Sequence, residues 1–180
     1  MYSDNDIKIA GDKPSREIRR IREAEANQAG PDKAAVKKAR EWGKTVATKF
    51  LEDADTVGAG EETLDCEMLV QRRMLLSFTA TVGFEQFASD DTISGIAQKS
   101  FIDTVRNADP ELYNATGDTG AFSFYYLAFR RGGEVDRRIG QTFAMLCSHD
   151  GDPVYQELGE ALYCWFLSVV KDTASQLELR

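Results

Sequence analysis

A few short segments of this chain gather side chains that could do chemistry. The densest is acidic: Glu52, Asp53 and Asp55, then Glu61, Glu62, Asp65 and Glu67, with no basic residue from Leu51 to Gln71. Asp53, Asp55, Gly58 and Glu61 fall at positions 1, 3, 6 and 9 of a calcium-loop template. Val57 and Leu64 then occupy two further ligand positions, including that of the bidentate glutamate, so calcium binding is not expected. The stretch reads instead as an acidic surface, able to dock onto a basic partner through Glu52, Asp53, Asp55, Glu61, Glu62 and Asp65.

Four arginines are candidate anchors for an anion or ligand. Arg72 and Arg73 lie midway along the most apolar segment. Neighbouring helix positions point about 100° apart, so at most one of them is expected inside. That one needs a carboxylate, such as Glu67 or Glu85, or a pocket. Arg130 and Arg131 precede Gly132-Gly133, a phosphate-like arrangement. Glu134 and Asp136 oppose an anion there, and the competing reading is a glycine stop with arginines complementing a helix end.

Metal and catalytic patterns are poor. Cys147-Ser148-His149 supplies two soft ligands, while Cys66 and Cys164 stand alone. A structural zinc site needs four ligands, usually in close pairs. The single histidine removes most schemes that rest on a histidine beside a nucleophile. No Walker-type or G-x-G-x-x-G loop occurs, so no cofactor and no metal is expected. A converging pair among the 30 acids remains the one catalytic option, leaving enzyme activity the less favoured reading.

These residues must be positioned by helices. Apolar residues recur at helical spacing, and strand-like alternation is missing. Residues 1–13 read as a flexible polar leader and 14–180 as one helical domain. Pro14-Ser15 opens a helix over Arg16–Ala29, and Gly30-Pro31-Asp32 opens a second reaching about Ala54. Its apolar face is Val36, Ala39, Val46, Ala47, Phe50 and Leu51, with a loop expected over 55–60. The third helix, to about Phe87, is apolar all round in its second half and should lie centrally. A fourth starts at Ser89-Asp90-Asp91, and a short turn starts at Asp109-Pro110.

Three more helices follow, over Thr119–Arg131, Glu134–Ser148 and about Val154–Gln176. The first of these carries Phe122, Phe124, Tyr125, Tyr126 and Phe129, mostly for the core, with Tyr125 or Tyr126 able to face a partner. The last has Leu158, Leu162, Trp165 and Val169 on its most regular apolar line. The fold class is therefore an all-α, single-domain bundle of about seven helices. Interior glycines at 43, 83, 95, 140 and 159 permit close helix crossings or are merely tolerated.

Of 180 residues, 22 are basic and 30 acidic, a net charge of −8. The balance is uneven. Residues 1–50 hold 12 Lys/Arg against 8 Asp/Glu, a net of +4, and the remainder holds 10 against 22, a net of −12. Direct nucleic-acid binding is disfavoured by that excess of acid. The basic residues Arg16, Arg19, Arg20, Arg22, Lys33, Lys37, Lys38 and Arg40 suit internal or intersubunit docking, so a homo-oligomer is one option. The start, Met1 to Asp6, is polar and acidic, unlike a secretory signal. The longest apolar run, Ala161–Val170, is too short to span a bilayer. Three widely spaced cysteines do not form a disulfide framework, which favours the cytoplasm.

The leading expectation is a non-catalytic interaction or regulatory protein that binds a protein partner with a basic surface. One alternative is an acidic inhibitor of phage or mobile-element type, filling the basic channel of a nuclease or similar enzyme. Another is a helical bundle with a small-ligand or enzymatic pocket near Arg72 or Arg73.

Overall fold

A computed structural model describes residues 32–60, 66–116 and 119–179. The expected leader and the Arg16–Ala29 helix lie outside the described residues. Within them there are seven helices and no strand, so the all-α class holds. They are α1 (Lys33–Gly60), α2 (Cys66–Phe87), α3 (Asp91–Ala108), α4 (Pro110–Ala115), α5 (Thr119–Arg130), α6 (Val135–Leu146) and α7 (Pro153–Gln176).

Local chemistry sets most boundaries. Asp90 caps α3, its carboxylate accepting from the Ile93 N–H at 2.9 Å. Asp109 serves two helices. Its own N–H donates to Val105 O at 2.8 Å and closes α3, while its carboxylate accepts from Leu112 N–H and opens α4 ahead of Pro110. Asp152 caps α7 ahead of Pro153 in the same manner. Proline at a first helical position loses no needed donor, and an Asp cap stabilises a helix by about 1 kcal/mol.

One boundary differs from expectation. The loop anticipated over 55–60 is helical, and α1 continues to Gly60. Glycine weakens a helix by about 1 kcal/mol without forbidding it, and adding a residue to an existing helix is far easier than starting one. No proline interrupts the stretch.

α2 occupies the centre. Met74, Leu75, Leu76, Phe78, Thr79, Ala80, Val82 and Phe84 are all buried, and the helix packs against α1, α3, α5, α6 and α7. Thr79 satisfies its hydroxyl within the core by donating to Leu75 O at 2.7 Å. α1 contributes Ala39, Val46, Ala47 and Phe50 as expected, together with the fully buried Trp42. Burying an aromatic or large aliphatic side chain stabilises by about 1.5–3 kcal/mol, so this cluster dominates the core.

On the apolar line expected of α7, Leu162 is buried and Leu158 and Val169 pack half-buried against the core, whereas Trp165 is 43% exposed; Tyr163, Phe166, Val170, Thr173 and Ala174 also face in. Gly159 lies on the inward side. A Cβ there would lie 2.5 Å from Phe143 Cβ, so α6 and α7 approach closely at this glycine. Glycine adds nothing to an apolar count, yet it permits this close contact.

The other interior glycines divide sharply. An added Cβ at Gly43 would collide with the Ala97 carbonyl oxygen, and at Gly140 with that of Gln156. At Gly83 it would lie 2.7 Å from Val170 Cγ1. Gly95 faces open space. Four of the five are therefore crossing points, and only Gly95 is merely tolerated.

Candidate functional site

The acidic stretch divides into parts with different fates. Glu61, Glu62 and Asp65 lie outside the described residues, and Asp55 lies within α1. Glu52 is exposed and pairs with Lys49 at 2.8 Å. Asp53 is only 12% exposed and accepts two hydrogen bonds from Arg72, from Nε at 3.0 Å and from Nη2 at 2.6 Å. Asp53 thus ties α1 to α2 instead of facing a partner. The helical backbone over 53–60 also removes the loop that calcium ligation would need.

Arg72 is 18% exposed and committed to this fork, so Asp53 replaces the anticipated Glu67 or Glu85. Arg73 is half-buried and makes no ion pair among the described residues. Neither arginine lines any of the three concavities described below. A guanidinium in a bidentate, mostly buried pair is structural, because removing either partner strands a charge.

Gly132 and Gly133 adopt φ of +64° and +71°, the left-handed region that favours glycine. They turn the chain sharply from α5 into α6. Arg130 lies over the Tyr126 ring, 5.7 Å from its centroid. Glu134 meets Arg137 at 3.4 Å. The helix-end reading therefore fits Arg130, while Arg131 reaches a groove.

That groove runs between α5 and α6 and has a volume of about 380 Å³. On α5 the inward line is Ala121, Tyr125 and Ala128, with Phe122 and Phe129 set edge-on to Phe78. The helix is so rich in apolar residues that its opposite face is apolar too. Phe124 is 50% exposed and Leu127 57%, and Met145 of α6 joins them at 40%. Arg131 and Arg138 supply positive charge at the same groove, with Gln141, Thr142 and Asp150 nearby. Arg138 folds back beneath the turn, where a Cβ on Gly133 would lie 3.3 Å from its Nη2. Its Nη1 is buried and has no hydrogen-bond partner. An unmet buried donor costs about 1–3 kcal/mol, more when charged, so an incoming acceptor would be favoured here.

Two further concavities are found among the described residues. One of about 510 Å³ lies between α1 and α3 and is lined by Arg40, Lys44 and Lys99. The other, of about 180 Å³, has aromatic and aliphatic walls from Phe50, Phe101 and Phe122 with uncharged polar groups including Ser77 and Gln98.

Among the described residues, no group of three or more His, Cys, Asp or Glu side chains is placed to hold a metal ion. His149 stacks on Tyr155, with centroids 3.8 Å apart. Cys147 is buried. Desolvation, then Asp136 and Glu160, push the Cys164 thiol up, which disfavours the nucleophilic thiolate. Burial, then Cys147, raises the Tyr125 phenol well above its ordinary range, and its hydroxyl has no hydrogen-bond partner. No described helix is long and apolar enough to cross a membrane.

Sequence reasoning flagged Arg131 and the aromatic segment but missed Leu127, Met145 and Arg138. The available signal was α5 itself, which carries more large apolar side chains than one buried face can use. Among known proteins, no family model, curated sequence or solved structure matches this chain.

Proposed function

We propose that this chain acts by binding another protein, without catalysis of its own, through the groove between α5 and α6. The observation that carries this reading is the placement of Phe124, Leu127 and Met145, all exposed, beside Arg131 and the buried Nη1 of Arg138. Exposed apolar groups bordered by charge are the usual make-up of an interaction surface. The fitting partner offers apolar side chains and a carboxylate, as on one face of an acidic amphipathic helix. This reverses the charge expected of the partner from the acidic stretch. Glu52 and Asp53 already have partners within the chain, which weakens the case for a basic one.

The test is affinity capture from the native cell with the wild-type chain and with Leu127→Asp and Arg138→Gln. A partner that is retained by wild type and lost from both variants supports the reading, provided both variants melt like wild type. Equal recovery by all three would move the binding surface elsewhere.

A further inference from the structure

We infer that the groove between α1 and α3 binds a small phosphate-bearing ligand of about nucleotide size. This rests on residues separate from the α5–α6 face. Lys33, Lys37, Arg40 and Lys44 are spaced by four, three and four, which places them on one side of α1, and all four are exposed. Lys99 of α3 faces Arg40 and Lys44 across the groove. None of these five cations makes an ion pair among the described residues.

Acidic residues outnumber basic ones in the chain, whose net charge is −8, yet no described carboxylate pairs with these five. Carboxylates do meet the cations on the other sides of α1: Lys38 pairs with Glu178 and Lys49 with Glu52. Like charges four apart on a helix repel by a few tenths of a kcal/mol. The one carboxylate in the groove lining, Asp103, lies 3.8 Å from Arg106. A cluster of mutually repelling cations gains most from an anion carrying more than one charge.

The helix crossing assembles the groove. Gly43 has no Cβ, so the backbone of α3 approaches α1 at Ala97 and Phe101, with the Ser100 side chain between them. Ser100 then donates its hydroxyl to Arg40 O at 2.8 Å, fixing the floor. This proximity brings the Lys99 ammonium to the same space as the Arg40 fork and Lys44. A phosphate group suits the set. Its oxygens can accept from a guanidinium and two ammonium groups together, with the Asn107 amide at the margin.

Size and surroundings favour a short ligand over a polymer. The volume of about 510 Å³ lies within the range of small-molecule sites. A long polyanion leaving the groove would run along a strongly acidic protein. Screening over about 8 Å at physiological salt shields a ligand confined to the groove from those distant charges.

Calorimetric titration of the full chain with pyrophosphate, ADP, sodium acetate and a 30-nucleotide single-stranded DNA tests this. Pyrophosphate or ADP should bind saturably at one site, more weakly as salt rises, while acetate should not. Arg40→Gln and Lys99→Gln should each weaken binding about fivefold or more, with unchanged melting. Lys49→Gln, off the groove, should leave affinity unaltered. Tighter binding of ADP than of pyrophosphate would identify a nucleotide, and equal binding the phosphate groups alone. The inference fails if neither phosphate compound saturates below about 1 mM. It also fails if the groove variants bind like wild type, or if only the long DNA binds.

Discussion

The indole N–H of Trp42 donates to the carbonyl oxygen of Val170 at 3.0 Å, joining α1 to α7 across 128 positions of chain. The side chain of Val170 fills the space that a Cβ on Gly83 would take. Trp42 also stands edge-on to Phe84, with centroids 4.8 Å apart. Three helices are thereby locked at one point. Trp42→Phe should lower the unfolding free energy by about 2 kcal/mol, from the lost hydrogen bond and lost volume. Gly83→Ala should cost about 1–3 kcal/mol by displacing Val170. Since both act on Val170, urea denaturation of the double variant should show a non-additive sum.

The glycines make a paired test of helix crossing. Gly140→Ala drives a methyl group into the Gln156 carbonyl, a backbone atom that cannot swing aside. A loss of about 2 kcal/mol or more is expected. Gly95→Ala meets nothing, so it should stabilise by about 0.5–1 kcal/mol through helix propensity. Opposite shifts of the urea midpoint at unchanged slope would verify both. Equal shifts would show that the two glycines do not differ in packing.

The helices were largely legible in the sequence because their signals are local. Asp90, Asp109-Pro110, Gly132-Gly133 and Asp152-Pro153 mark ends through the chemistry of a few neighbouring atoms. The centrality of α2 was legible as well, since no polar face interrupts it. What escaped depends on tertiary approach. Trp165 shares the apolar line of α7 yet is exposed, and the close approach of Gly159 to Phe143 is one that an apolar pattern does not register. The partner of Arg72 lies 19 residues upstream on another helix, so spacing along α2 pointed to Glu67 or Glu85. The α5–α6 groove was half legible: surplus aromatic residues were visible in α5, but their alignment with Met145 and Arg138 arises only when the two helices pack.

Alkaline pH should weaken the fold through buried phenols. Burial, then Cys164 and Asp136, push Tyr163 up to about 12, and burial, then Cys147, raises Tyr125 in the same direction. The folded state retains these protons when the unfolded chain, titrating near pH 10, has released them. Stability is therefore fully present below about pH 10 and is lost progressively as pH rises towards 12. Chemical denaturation between pH 8 and 11.5 should show this decline. Tyr163→Phe should make it shallower, and an unaltered slope would remove Tyr163 as a cause.

Asp53 and Arg72 distinguish a structural acid from a surface acid. Both are mostly buried and share a fork, so Arg72→Met alone leaves a carboxylate without its cation. That variant should lose about 2 kcal/mol or more, as should Asp53→Ala. Replacing both together, Asp53→Leu with Arg72→Met, removes the desolvated charges and should recover most of the loss. Glu52 is the neighbouring control. It is exposed in its pair with Lys49, so Glu52→Gln should change stability by less than about 0.5 kcal/mol. A double-mutant cycle on thermal or urea unfolding measures the coupling directly. Near-zero coupling between Asp53 and Arg72 would return Asp53 to the set of acids free to meet a partner.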